Sequence, residues 1–91
     1  MDTQFTVNIV PPKVRINITE EDRSDVDDKM LANAGFLVAT TRREEKDCLA
    51  SVKISIRDND WASAHDWLEA AHLARLIKQG KASVELVHEK E

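Results

Sequence analysis

Three side chains capable of metal or proton chemistry recur along one segment of the chain: His65, Glu69 and His72. Their spacings of four and three residues place them along one side of a helix, where imidazole and carboxylate groups can bind zinc or exchange protons. The pattern lacks the adjacent His-Glu pair and second His of the helical zinc motif. We therefore expect no metal and no cofactor, and a small metal-dependent or acid/base enzyme is the second alternative function.

The strongest charge feature is a run of carboxylates between residues 20 and 28. Its members are Glu20, Glu21, Asp22, Asp25, Asp27 and Asp28. The run lacks the glycine and the distal glutamate of an EF-hand, so the pattern does not favour calcium. An acidic patch can instead steer a basic partner. The sequence predicts that Asp22, Asp25, Asp27 and Asp28 bind a partner protein.

Basic residues recur on two segments with strand-like alternation, Lys13 and Arg15 on one, Lys53 and Arg57 on the other. If these segments are neighbouring strands, the four cations project from one sheet face and can hold phosphates. The face has no aromatic residue on which a base could stack. Nucleic-acid binding through Lys13, Arg15, Lys53 and Arg57 is therefore the alternative function, and nucleic acid is not the expected partner.

The segment from Trp61 to Gln79 contains helix formers throughout and is apolar on more than one side. Ala64, Trp67, Leu68, Ala71 and Ala74 make one face, and Ala70, Leu73, Leu76 and Ile77 extend onto the other. Since one face suffices to dock on a sheet, the second is available to another chain. We predict that Leu73, Leu76 and Ile77 bind a partner, and that the chain forms a homodimer.

Period-2 alternation predicts the strands that position these residues. Phe5, Val7 and Ile9 mark the first strand, and Val14, Ile16 and Ile18 the second. Pro11 and Pro12 between them disfavour a tight two-residue hairpin and leave the first strand as an edge or an arm. Further strands are predicted over 36–41, 50–57 and 84–88. In the second of these, Ala50, Val52, Ile54 and Ile56 alternate with polar residues.

Two helices are predicted from caps and apolar spacing. The first spans about residues 20–34, with Thr19 as its N-cap and Gly35 as the residue that ends it. The second begins after Asp58-Asn59-Asp60, which supplies its N-cap, and continues to Gly80. From Lys13 onward the order is β-α-β-β-α-β. We therefore predict an α+β, ferredoxin-like split βαβ fold with an extra N-terminal strand and two helices on one face of a mostly antiparallel sheet.

Length and composition narrow the function classes. A chain of 91 residues suits one domain over 1–91, with enough apolar residues, 42%, to form a core. The net charge of −4 disfavours a general nucleic-acid or membrane coat, and the single cysteine, Cys48, excludes an internal disulfide. No signal-like or membrane-spanning run is present, so we expect a cytoplasmic location.

The function predicted from these features is a non-catalytic protein-interaction or regulatory module. Its expected partners are another protein, a second copy of itself, or both. In size and acidity the chain resembles the inhibitors and adaptors encoded by phages and mobile elements, which is a resemblance of composition and not of motif.

Overall fold

The computed structural model describes residues 2–7, 13–19 and 28–87 as three strands and three helices. The elements in chain order are β1 (Asp2–Val7), β2 (Lys13–Thr19), α1 (Asp28–Thr41), α2 (Glu45–Arg57), α3 (Trp61–Lys78) and β3 (Ala82–Val87). The strands form one antiparallel sheet in the order β1-β2-β3. Within the described residues, β1 and β2 pair antiparallel, three helices follow, and β3 pairs with the other edge of β2.

The central strand β2 carries the sheet's contribution to the core. Val14, Ile16 and Ile18 are fully buried, whereas Arg15 and Asn17 on the other face are partly exposed. This confirms the predicted one-sided, antiparallel strand. Val7 pairs with Val14, and the connection between the two strands lies outside the described residues, so the predicted absence of a tight turn stays a prediction. β1 is an edge strand, as predicted, although Ile9 and the two prolines lie outside the described residues.

Helices α1 and α3 cover the apolar face of the sheet. Leu31 and Ala34 of α1, with Ala70, Leu73 and Leu76 of α3, join the three buried residues of β2 in one hydrophobic core. α1 packs on β2 and β3, and α3 packs on α1 and β3. α2 lies outside this layer and packs chiefly on α3.

The predicted ferredoxin-like fold is wrong, because two of its strands are helical. Residues 36–41 continue α1, and residues 50–57 form most of α2. In α1, Thr40 and Thr41 donate their hydroxyl hydrogens to the carbonyl oxygens of Phe36 and Leu37, at 2.7 and 2.6 Å. Such bonds to the preceding turn are available in a helix and not in a strand. Within the described ranges, three strands and three successive helices replace the split βαβ order.

The predicted C-terminal end of the second helix is confirmed by a glycine in the left-handed conformation. Gly80 has a φ of 75° and follows α3, and the amide of Lys81 donates to the carbonyl of Leu76 at 2.8 Å. This is the Schellman arrangement. The second predicted helix is therefore confirmed, with bounds Trp61–Lys78. Gly35, in contrast, does not end a helix: it lies inside α1, and residues 20–27 of the predicted first helix are outside the described part.

Candidate interaction surface

Helix α2 has an inverted pattern of burial. Its buried side chains are Cys48, Ser51 and Ser55, which face the rest of the chain. Its larger apolar side chains point outward: Leu49 is 38% exposed, Ile54 50% and Ile56 41%. Burial of an apolar side chain is what normally attaches a helix to its domain. A helix that buries serines and exposes isoleucines has its main apolar surface still available.

The exposed apolar residues of α2 lie mostly along one side of the helix. Leu49 and Ile56, with the partly exposed Val52 between them, are spaced by three and four residues, so they form a stripe. Ile54 lies on the opposite flank, because two residues correspond to a rotation of about 200° from either Val52 or Ile56. This placement makes Ile54 a natural control for the stripe.

A matching stripe runs along the outer side of α3. Trp61, His65, Leu68 and His72 follow one another at intervals of four, three and four residues. Trp61 is 58% exposed and Leu68 48%, and both histidines are exposed. Thus one side of α3 packs in the core, and another side is exposed.

The two stripes lie side by side. Residues 58–60 join α2 to α3, and the two helices pack against each other as an antiparallel pair. Leu49 of α2 and Leu68 and His72 of α3 line one shallow groove of about 340 Å³. We call the joint surface the hairpin face; its residues are Leu49, Val52, Ile56, Trp61 and Leu68. Among the described residues, it holds four of the five large apolar side chains that are exposed.

An ion pair closes one end of this groove. The Nη2 and Nε atoms of Arg75 lie 2.6 and 2.9 Å from Oε1 of Glu45. The hydrogen bond from Arg75 lowers the pKa of the Glu45 carboxyl. The pair links the first turn of α2 to the last turns of α3.

The charged residues of α2 and α3 have different surroundings. Along α2, Lys53 and Arg57 are exposed, whereas Lys46 lines a cleft together with Ala74 and Lys78 of α3. Along α3, Glu69 is partly exposed and lines the groove between the two helices together with Leu49 and Leu68. The groove therefore contains a carboxylate, and exposed cations lie elsewhere on α2.

A second cleft, of about 590 Å³, lies where α1, α2 and α3 converge. Its apolar lining includes Val38, Leu49 and Ile77. Its charged lining carries both signs and consists of Arg42, Arg43, Glu44, Glu45, Lys46 and Lys78. Arg43 is held in place: its guanidinium lies 5.0 Å from the Trp67 ring centroid and donates to Ser51 Oγ at 2.6 Å. Taken together, these charges select no particular ligand.

The predicted apolar binding residues are placed differently from the expectation. Leu73 and Leu76 are buried in the chain's own core, and Ile77 is partly buried beside the second cleft. The assignment of Leu73 and Leu76 to a partner is therefore wrong for this conformation, because the sheet and α1 already cover that side of α3. Sequence reasoning counted Leu68 with the docking face, although its spacing of seven from Trp61 marked the open stripe.

The predicted acidic patch lies mainly outside the described residues. Asp28 is exposed in the first turn of α1, where a carboxylate complements the helix dipole. Asp22, Asp25 and Asp27 belong to residues that the structure does not describe. Partner binding by the acidic run stays a prediction.

The predicted basic sheet face does not form. Lys13 and Arg15 belong to β2, but Lys53 and Arg57 belong to α2, which is not part of the sheet. Arg15 instead pairs across the sheet with Glu85 of β3, Nη1 to Oε1, at 2.7 Å. Because residues 50–57 form a helix, the four cations do not converge, and this expectation is corrected.

The histidines and the cysteine offer little site chemistry. His65, Glu69 and His72 share a side of α3, yet within the described ranges no three His, Cys, Asp or Glu residues are grouped so that they could hold a metal ion. Cys48 is fully buried between α2 and the core, as a small packing residue, and burial raises the pKa of its thiol. A thiol so placed is a poor nucleophile.

Comparison with known proteins gives no match: no family model fits the chain, and no curated protein or solved structure is significantly similar to it. Within the described residues, none of the helices combines the length and apolarity that crossing a bilayer requires.

Proposed function

We propose that this chain is a non-catalytic protein-interaction module that binds through the hairpin face. The observation that carries the proposal is the inverted burial of α2: two serines and a cysteine face inward, while Leu49 and Ile56 join Trp61 and Leu68 on an open surface. Scattered single apolar residues are normal on a protein surface, but a contiguous group of this kind marks a binding area.

The free energy of apolar burial favours the binding of a partner to the hairpin face. Full burial of a large apolar side chain contributes about 1.5–3 kcal/mol. Four such side chains are each already about half-buried. Burial of their remaining surface would contribute enough free energy to offset part of the translational and rotational cost of association. Trp61 matters most, because tryptophan is enriched among the residues that dominate interface energies.

The test compares two charge insertions in the same helical hairpin. Leu68→Glu places a carboxylate in the middle of the hairpin face, whereas Ile54→Glu places one at an equally exposed site on the far flank of α2. Both sites are exposed, so both variants should keep the far-ultraviolet circular dichroism and melting temperature of the wild type within a few degrees.

Binding is measured by capture on immobilised wild-type, Leu68→Glu and Ile54→Glu chains, including capture of the chain itself. We expect a species held at fixed stoichiometry by the wild type and by Ile54→Glu, and lost with Leu68→Glu. Equal capture by all three chains would show that the hairpin face is not the binding surface, and capture by none of them would contradict the proposed function.

A further inference from the structure

We infer that the second cleft, where α1, α2 and α3 converge, binds a small organic anion with an apolar body, of the size of a medium-chain fatty acid. The inference goes beyond the proposed function, because this cleft is a different part of the surface from the hairpin face and shares only Leu49 with it. The size of the cleft, its apolar lining and its charges without partners carry the inference.

The cleft has the size and the lining of a small-molecule site. Its volume is about 590 Å³. Ligand sites in proteins commonly enclose about 300–1,000 Å³ and are mostly apolar, with a few polar groups that orient the ligand. The apolar lining consists of Val38, Leu49, Ala74 and Ile77. None of these side chains is fully buried, so a bound apolar group would remove further apolar surface from water.

Two of the charged groups in the cleft already have partners within the chain. The Glu45 carboxylate accepts hydrogen bonds from Arg75, which does not line the cleft. The Arg43 guanidinium lies over the Trp67 ring and donates to Ser51. These two groups are therefore engaged, and a ligand would meet the remaining charges of the lining.

The remaining charges are three cations and one carboxylate. Among the described residues, Arg42, Lys46 and Lys78 form no ion pair, and the same holds for Glu44. Arg42 follows α1, Lys46 lies in the first turn of α2 and Lys78 ends α3, so the cations reach the cleft from three elements. This local excess of positive charge lies in a chain whose net charge is −4. The cleft therefore favours an anion.

The apolar lining and the cations together select an amphipathic anion. An inorganic anion would leave the apolar lining in contact with water, and a neutral apolar molecule would leave the cations without a partner. A carboxylate on an aliphatic chain suits both parts, because the chain can cover Val38, Ala74 and Ile77 while the carboxylate accepts hydrogen bonds from the cations.

The experiment titrates decanoate into the full chain at neutral pH and follows the backbone amides by nitrogen-15 NMR. We expect saturable shifts for amides of residues 38–46 and 74–78, and much smaller shifts around Trp61 and Leu68. Decanol has the same chain length without the charge, and it should bind more weakly than decanoate.

Lys46→Glu and Lys53→Glu are the matched variants. Each reverses the charge of one exposed lysine of α2, but only Lys46 lines the cleft. Because the helix dipole favours a carboxylate in the first turn, Lys46→Glu should keep the fold. We expect Lys46→Glu to raise the decanoate dissociation constant about 3- to 30-fold, and Lys53→Glu to change it less than about twofold.

The outcomes separate this inference from the proposed function. Absence of saturable shifts at millimolar decanoate, or shifts centred on Trp61 and Leu68, would overturn the site. Equal weakening by Lys46→Glu and Lys53→Glu would also overturn it, because net charge alone would then attract the anion. Leu68→Glu should still bind decanoate in the cleft, so loss of protein capture by that variant and loss of decanoate binding by Lys46→Glu test the two proposals independently.

Discussion

At the scale of single residues, two adjacent residues in the link between α2 and α3 end one helix and begin the next. Asn59 takes a left-handed conformation with a φ of 59°, and Asp60 donates its amide to the carbonyl of Ser55 at 2.8 Å, which ends α2. The Asp60 carboxylate then accepts the amide of Ser63 at 3.1 Å, which begins α3. The sequence predicted the N-cap here and missed the helix that ends at the same place, because residues 50–57 were assigned to a strand.

The cap at Asp60 predicts a pH dependence of stability. Its hydrogen bonds from Ser63 lower the pKa of the Asp60 carboxyl below its ordinary value. A lowered folded-state pKa contributes stability that is present above the unfolded-state pKa and is lost as the pH falls through the folded-state value, here below about pH 4. Asp60→Asn keeps a capping oxygen but does not titrate, so its free energy of unfolding should fall less steeply below pH 4 than that of the wild type.

The matched control is Asp60→Ala, which removes the acceptor and should be less stable than the wild type at neutral pH. Chemical denaturation at several pH values between 7 and about 2.5 measures both variants. If the free energies of unfolding of Asp60→Asn and the wild type fell in parallel over the acid range, protonation of the Asp60 cap would not explain the loss of stability.

At the scale of elements, Gly35 explains how α1 can lie directly on the central strand. A Cβ atom at this position would come within 3.0 Å of Val14 Cγ1 and 3.1 Å of Ile16 Cδ1, and both of those side chains are fully buried. Sequence reasoning took the glycine as a helix terminator. Its role here is instead close approach: the missing side chain leaves room for the strand beneath the helix.

Gly35→Val should therefore destabilise the fold although valine has the higher helix propensity. The propensity gain is a few tenths of a kcal/mol. Forcing a branched side chain against two buried residues costs about 1–3 kcal/mol, so packing outweighs propensity. We expect a drop of about 4–20 °C in melting temperature for a chain of this size.

Thr40→Val in the same helix is the control, since Thr40 is exposed and the change is nearly isosteric. Its free energy of unfolding should stay within about 0.5 kcal/mol of the wild type. If Gly35→Val were as stable as Thr40→Val, the helix would have to lie farther from β2 than the structure shows.

Sequence patterns predicted the elements whose burial is regular and failed where burial is unusual. β2 alternates cleanly because one face is core and the other is not, and α3 ends at a glycine in the expected conformation. In α2 the same alternation, from Ala50 to Ile56, arises without a strand: the small residues at 48, 51 and 55 face inward at helical spacing, and the large ones are left outside. A rule that large apolar residues are buried cannot find such a helix.

The candidate surface was missed for the same reason. Its prediction required α2 to be a helix, since only then do Leu49, Val52 and Ile56 share a side and meet the outer stripe of α3. The idea of a surplus apolar side on the long helix came from the sequence, but the side was misassigned, because Leu73 and Leu76 are the residues that the sheet covers. Tertiary packing decides which of the two apolar sides of α3 is covered, and the periodicity of the sequence does not carry that information.

At the scale of the whole molecule, the parts differ in how firmly they are attached. β2, α1 and α3 share a core of leucine, isoleucine and valine side chains, whereas α2 contributes Cys48 and two serines to the interior. Because local stability follows the apolar surface that a segment buries, α2 should be the helix that opens most readily in an isolated chain. Its Glu45–Arg75 pair is exposed enough to be screened by salt and holds only one end.

Native-state hydrogen exchange tests this hierarchy directly. In the Leu68→Glu variant, where the hairpin face stays uncovered, amides of α2 should exchange through openings of lower free energy than amides of β2 and α3. Equal protection of α2 and β2 in the variant would mean that the small inward residues of α2 attach it as firmly as the core attaches the sheet. The argument from inverted burial to an open binding surface would then lose its energetic basis.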